Sequence, residues 1–447
     1  MSSEYLDPSK PRAAYLWNAQ LDPADYLVAT YRVETSVDPE LAAIAMAKEQ
    51  SAGTLVFPGS DAVDNIEAWT ARVTAVEKLG ETATVMLPGY RLNTPVYDTG
   101  GGGGEDCQVC QVSIAFPIRM FGRSMTGLWN AVGGELHRLG FVNALRLLDL
   151  RFPDDYLAGF HGPRHGAVGL RQRLGVWERP IFCRSARPAV GLSTEAMLRI
   201  NEQVLRGGFD VVKDDELTPD ASPSPFAERV KAMARMVRRA EDATGARKMY
   251  FANVIAEIRQ TLDYARTAVR AGVDGLLVSP MLQGLEIART VAEETGLPVL
   301  AHNTWEDVCL RHPRFGVAHS LYIAIQRIIG VDLIMLPGAF ASGSMQASDE
   351  RTCVAECAEP RGTIRPVLPI MAGGKTPASL VDCLRAAGSP DFMLIAAAAV
   401  DQHPAGVFAG AQAFRQAWDA LQTDASLAAN NASLEKGRTH GRRSKSR

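Results

Sequence analysis

Short apolar runs alternate with longer amphipathic stretches through the second half of the chain, and the alternation repeats eight times between Arg179 and Leu421. The runs at 180–183, 209–212, 249–254, 275–278, 298–302, 333–337, 367–372 and 392–398 are apolar at consecutive positions. That is the pattern of strands covered on both faces in a parallel sheet. Between them, 194–205, 226–244, 258–271, 284–294, 320–329, 378–387 and 405–420 carry the one-sided apolar stripe of surface helices. Eight βα units of this size predict a (β/α)8 TIM barrel, an architecture of roughly 250 residues. A doubly wound sheet is the competing architecture, but no topological switch point is visible.

The first third reads differently. A strand is expected over 25–33, a helix over 39–50, and further strands over 82–87 and 108–116, which together make an α+β domain of ferredoxin-like type. The domain boundaries expected are 1–150 for this unit, 151–430 for the barrel and 431–447 for a basic, disordered tail. The glycine run at 100–104 is a surface loop and no phosphate cradle, since no GK[ST] follows it.

Composition narrows the choice of function. With 447 residues and 47% apolar content the chain has material for two domains. A net charge of −3 argues against nucleic acid as the main partner, although the tail is basic. No apolar run approaches the ~20 residues of a membrane span and the N-terminus lacks a signal pattern, so a cytoplasmic protein without membrane contact is expected. Seven cysteines without framework spacing fit reduced thiols. A zinc site from Cys107, Cys110, Cys353 and Cys357 can be imagined, but neither pair sits in a knuckle-like turn.

In a barrel the C-terminal ends of the strands form the active site. Polar residues collect at those ends: Arg184 and Arg187 after the first strand, Lys213 to Glu216 after the second, Asn253 in the third, His302 and Asn303 after the fifth, and Gly373, Gly374 and Lys375 after the seventh. Lys213-Asp214-Asp215-Glu216 packs three carboxylates and a lysine into four positions. Such a cluster is costly unless a cation gathers the acids, and a hard, oxygen-seeking ion such as Mg2+ suits it. Period-two alternation puts Lys213 and Asp215 on one face, with Glu216 able to join them where the strand breaks. A solvated charged loop is the alternative reading. For Lys375 the alternatives are a phosphate contact, helped by the amides of Gly373 and Gly374, or a plain surface lysine.

These motifs carry a resemblance. The segment from Gly207 to Glu216 resembles the metal-site motif of the large subunit of ribulose bisphosphate carboxylase. Arg179-Pro180 with the stretch from Arg187 to Ser193 is similar to the family's first barrel strand, and the stretch from Glu49 to Thr54 to an N-terminal segment. Leu150-Arg151-Phe152-Pro153 resembles the domain junction and His403-Pro404 the start of the last unit. The resemblance implies a homodimer, or an assembly of dimers, whose active sites are shared. Glu49 and Thr54 would reach the neighbour's substrate. Lys213 would take up CO2 as a carbamate and, with Asp215 and Glu216, hold one Mg2+, and His302 would occupy the histidine position after the fifth strand.

Departures from the pattern limit the activity. The family's catalytic lysine is replaced by Arg187, which stays protonated and cannot serve as a base. Ala189, Asn303, Gly134 and Ala372 stand where a lysine, an arginine, an asparagine and a serine are expected, and 338–344 lacks a lysine to close over substrate. Ala396, Ala397 and Ala398 replace glycines. Carbon fixation on ribulose bisphosphate is therefore not expected, and the chain is similar to form IV, the RuBisCO-like proteins. The function expected is Mg2+-dependent stabilisation of an enolate or enediolate of a phosphorylated keto sugar or keto sugar acid. Decarboxylation of a 3-oxo-isoapionate-4-phosphate type substrate is preferred, because loss of CO2 needs no base to remove a proton from carbon. Arg187 and Arg184 would then receive the carboxylate. An isomerase or enolase of methylthioribulose-type phosphates, using Asp214, His302 or Lys213 as base, and a non-catalytic regulatory homologue are the alternatives.

Overall fold

The protein is described from a computed structural model over residues 13–53, 65–83 and 107–423. Thr54, the glycine run 100–104 and the tail 431–447 lie outside these described residues. The N-terminal part is a sheet of β1 (Tyr26–Thr35), β2 (Arg72–Thr82), β3 (Cys107–Pro117) and β4 (Val142–Arg151), in spatial order β4-β1-β3-β2 with antiparallel neighbours. Leu27, Ala29, Tyr31 and Val33 of the central strand β1 are completely buried, as period-two alternation requires. The helix Pro39–Glu49 supplies the buried alanines 42, 43, 45 and 47. It begins where Asp38 accepts from the Glu40 and Leu41 amides and Pro39 takes the first helical position.

Most of the strand expected at 82–87 lies outside the described residues, which stop at 83 and resume at 107. β2 over Arg72–Thr82 was not expected: it is an edge strand whose outer half is exposed, and Glu77, Lys78 and Glu81 leave it no continuous apolar run.

The second half closes into a parallel barrel. Its strands are β5 (Ile181–Ser185), β6 (Val211–Lys213), β7 (Met249–Asn253), β8 (Gly275–Val278) and β9 (Val299–Ala301), followed after an excursion by β11 (Leu333–Met335), β12 (Leu368–Met371) and β13 (Met393–Ile395). β13 pairs with β5 to close the ring. The excursion is β10 (Gly316–Val317), which leaves the barrel and joins the N-terminal sheet parallel to β4. Arg314 beside it hydrogen-bonds the buried Glu34 of β1 at 2.7 Å, so the same loop ties the two halves together.

Ile181, Cys183, Val211, Met249, Phe251 and Leu300 point inward and pack on one another, while Leu170 and Leu174 of the helix Gly166–Leu174 plug the barrel from below. The alternate residues Phe182, Val212 and Tyr250 pack outward against the helices. The helix Ala347–Ala358 between β11 and β12 buries only Cys353 and Cys357 and shows little apolar stripe. Among the described residues, no helix is long and apolar enough to cross a membrane.

Candidate active site

At the C-terminal end of the barrel lies an open cavity of about 910 Å³. Of the expected residues, Arg187, Lys213, Glu216, His302, Gly373, Gly374 and Lys375 line it. Strand alternation explains who faces in: Val211 points into the barrel, so Lys213 and Asp215 follow it, while Asp214 turns outward with Val212. Lys213 is 1% exposed and its amine lies 3.5 Å from Glu216 Oε2. Asp215 is completely buried; its Oδ2 accepts from Ser185 Oγ at 3.2 Å and forms an ion pair with the Arg187 guanidinium at 3.2 Å. Arg187 itself is half exposed to the cavity.

His302 completes the acidic corner. Its Nε2 is 3.1 Å from Glu216 Oε2 and its Nδ1 is 2.7 Å from Thr304 Oγ1. Burial lowers the affinity of the imidazole for a second proton, although Glu216 pulls the other way. Burial alone would raise the Glu216 carboxyl; the His302 hydrogen bond and the Lys213 charge outweigh it and hold the acid well below the usual carboxylate range. A neutral His302 donating from Nε2 to an ionised Glu216 satisfies both tendencies. Its bare Nδ1 then accepts from Thr304.

The opposite wall is different in character. Met335, Leu336, Ala372, Ile395, Ala397 and Ala398 make it apolar, with Gly373 and Gly374 exposing backbone. Both glycines have positive φ, 80° and 61°, and a Cβ on Gly374 would meet nothing within 4 Å. The Lys375 amine is buried and donates to Phe340 O at 3.1 Å, so it reaches across to the loop after β11.

Two expectations fail on geometry. Arg184 does not line the cavity: it shares the outward face of β5 with Phe182 and is 1% exposed. Its guanidinium is held by Asp401 at 2.7 and 3.0 Å, by Asn201 at 2.8 Å and by the Arg187 carbonyl at 3.0 Å. It is therefore a structural cation, and Ser185, the next residue along, faces the cavity instead. Asp214 is equally unsuited to act as a base: it is completely buried against Arg229, Tyr250 and the Asn253 amide. Glu49, expected to serve the neighbouring chain's site, closes the helix Pro39–Glu49 and is not among the residues lining this chain's own cavity. Asp401, Gln402 and Thr376 line it unforeseen. Counting in twos from Ile181 and Cys183 identifies Ser185; nothing in the sequence singles out Thr376 or Gln402.

The donor set can be tested against a divalent cation. Among the described residues, no group of three His, Cys, Asp or Glu side chains is gathered for a metal. The two inward carboxylates are paired with the Lys213 and Arg187 cations, and the neutral His302 contacts Glu216. Two acids and an amine make a poor magnesium site. Conversion of the Lys213 amine into a carboxylate-bearing group removes a cation and adds a third hard oxygen donor, and only then do the residues fit. Members of the family generally use Mg2+ and a carbamylated lysine.

Sequence models of the ribulose bisphosphate carboxylase large chain match this chain in two parts, the N-terminal domain over residues 15–156 and the catalytic domain over 166–440. A ribulose bisphosphate carboxylase-like protein of Allochromatium vinosum is 36% identical over 407 residues, covering 90% of this chain and 86% of its own. A 3-oxo-isoapionate-4-phosphate transcarboxylase/hydrolase of Xanthobacter autotrophicus is 29% identical, covering 90% and 95%. A 2,3-diketo-5-methylthiopentyl-1-phosphate enolase of Geobacillus kaustophilus is 27% identical, covering 92% and 96%. Among solved structures, a rubisco-like protein from Burkholderia fungorum superposes with TM-score 0.79 at 28% identity, covering 89% of this chain and 95% of that one. A dimeric archaeal Rubisco from Hyperthermus butylicus gives TM-score 0.79 at 25% identity, covering 92% and 94%. With both halves matched in order and the barrel closed as in these structures, the chain belongs to the ribulose bisphosphate carboxylase large-chain family, as a form IV or RuBisCO-like member.

Proposed function

We propose that the protein is a Mg2+-dependent enzyme acting on a phosphorylated keto sugar acid, a decarboxylase of 3-oxo-isoapionate-4-phosphate type and no carbon-fixing carboxylase. The observation that carries this reading is that none of His302, Asp214 and Arg187 stands ready at the mouth as a base, while Lys213 is assigned to the metal. His302 has both ring nitrogens engaged, Asp214 points away, and Arg187 is a permanent cation half exposed to the cavity. Such a site is suited to a reaction that makes its carbanion by losing CO2. The bond from the α-carbon to the carboxyl carbon breaks, its electron pair stays on the carbon skeleton as an enolate, and solvent supplies the proton.

Lys213 as a carbamate, Asp215 and Glu216 are the residues that would hold Mg2+, which when bound offsets negative charge developing on the substrate oxygen. Arg187 binds the substrate carboxylate before it leaves as CO2, with the Asp215 ion pair fixing its guanidinium. Gly373, Gly374 and Lys375 take a single phosphate. Support from relatives is the Xanthobacter enzyme's name; the Geobacillus enolase favours the second reading, enolisation or isomerisation. The partner in a homodimer would bring Glu49 and Thr54 to the mouth.

The test is incubation with Mg2+, bicarbonate and candidate 3-oxo acid sugar phosphates in deuterated water. Decarboxylation predicts CO2 release, with deuterium only in the product. Deuterium washing into unreacted keto sugar phosphate without CO2 release would instead establish the enolase or isomerase.

A further inference from the structure

The acidic turn after β6 is held in place by a neighbour that the reading above does not use. Asn253 is the last residue of β7 and is 5% exposed. It points its amide nitrogen at three carbonyls of the turn: Asp215 O at 3.2 Å, Glu216 O at 3.1 Å and Thr218 O at 3.4 Å. The orientation of the amide is not arbitrary, because its oxygen already accepts the Ile255 N–H at 2.9 Å. The Asn253 backbone N–H reaches Asp214 Oδ2 at 3.2 Å. One residue thus grips the turn from behind at four points between 214 and 218: the outward acid and three peptide carbonyls.

The turn needs such a grip. Asp214, Asp215 and Glu216 are adjacent acids, the first two with no exposure at all, and their mutual repulsion favours an opened loop. Inside the turn the Asp215 N–H reaches Thr218 Oγ1 at 3.2 Å and the Leu217 N–H reaches Asp215 Oδ1 at 3.2 Å, both modest contacts. A primary amide is the fitting device, since it donates two hydrogens without carrying charge into a buried acidic corner. An aspartate there would face carbonyls with no donor. An apolar residue would leave buried carbonyls unsatisfied.

We propose that Asn253 is a positioning residue for the metal-binding turn: by holding the carbonyls of Asp215, Glu216 and Thr218 backward, it keeps the Glu216 carboxylate in the cavity wall and the buried Asp215 carboxylate just behind it, against Ser185 and Arg187. The role of the amide rests on the metal reading above only in what the turn presents its acids to.

The test compares the unaltered full chain with Asn253→Ala and with Lys248→Met. Lys248 lies at the opposite end of β7, where its amine is buried on Phe209 O at 2.6 Å, and it loosens the same strand away from the turn. Hydrogen–deuterium exchange without Mg2+ is expected to accelerate at least tenfold over residues 213–218 in Asn253→Ala and to stay unchanged there in Lys248→Met. Calorimetric titration with Mg2+ under bicarbonate is expected to show at least tenfold weaker binding for Asn253→Ala and a change below twofold for Lys248→Met. Unaltered exchange over 213–218, or Mg2+ affinity within twofold of the unaltered protein, overturns the role of Asn253. Equal losses in both variants also overturn it, as general weakening of the barrel. A flat titration of the unaltered protein overturns the metal reading itself, and with it the ligand-presenting role of Asn253.

Discussion

At the scale of single residues, buried charge decides more than sequence position. Glu306 is 5% exposed and its carboxyl is pushed up to about 8, first by burial, with Asp307 adding and the Gln326 hydrogen bond opposing. An acid whose folded value lies above its unfolded one loses stability as pH rises from about 4.5 toward 8, because only the unfolded chain ionises freely. The penalty reaches at most about 5 kcal/mol above pH 8 at 1.36 kcal/mol per unit. Gln326 Oε1 is buried without a partner, so an amide at position 306 would bring it a donor. Glu306→Gln should therefore melt several degrees higher than the unaltered protein at pH 9 and at the same temperature near pH 4.5. Parallel melting curves across that range would show that Glu306 carries no such penalty.

At the scale of elements, the barrel was legible because parallel strands buried on both faces write continuous apolar runs, as Met249–Asn253 and Gly275–Val278 do. The acidic turn was legible as a cluster with one lysine, and period-two counting sorts Lys213 and Asp215 from Asp214. What escaped had weak or misleading local signals. β2 is mostly solvated, and β10 is two residues paired to a strand far earlier in the chain. Arg184 was misjudged by proximity to the strand end, when its outward phase couples it to Asp401 on the segment after β13. Breaking a buried pair is costly, so Arg184→Met should lower stability in urea by about 3 kcal/mol. Adding Asp401→Asn should recover part of the loss. An undiminished stability with weakened substrate binding would return Arg184 to the substrate.

At the scale of the whole molecule, exposed apolar side chains gather on one half of the barrel mouth. Val190, Leu217, Ile258, Leu282, Trp305 and Val308 follow β5 through β9 in turn, and all are exposed in a single chain. Apolar side chains exposed beside a cavity suit a surface that meets a partner. The dimer proposed above would cover it and carry Glu49 toward the mouth. Sedimentation at micromolar concentration should give at least twice the 48.2 kDa of one chain, and Trp305→Glu with Val308→Glu should shift it toward the single chain. A monomer for the unaltered protein would argue that the cavity works alone.

Magnesium binding in the presence and absence of CO2 probes the central claim most directly, since two acids and an amine hold the ion poorly while two acids and a carbamate hold it well. Calorimetry should show one Mg2+ per chain in bicarbonate-saturated buffer, sharply weaker binding in CO2-free buffer, and none for Lys213→Ala in either. Equal binding in both buffers, or a flat trace in bicarbonate, would contradict the account.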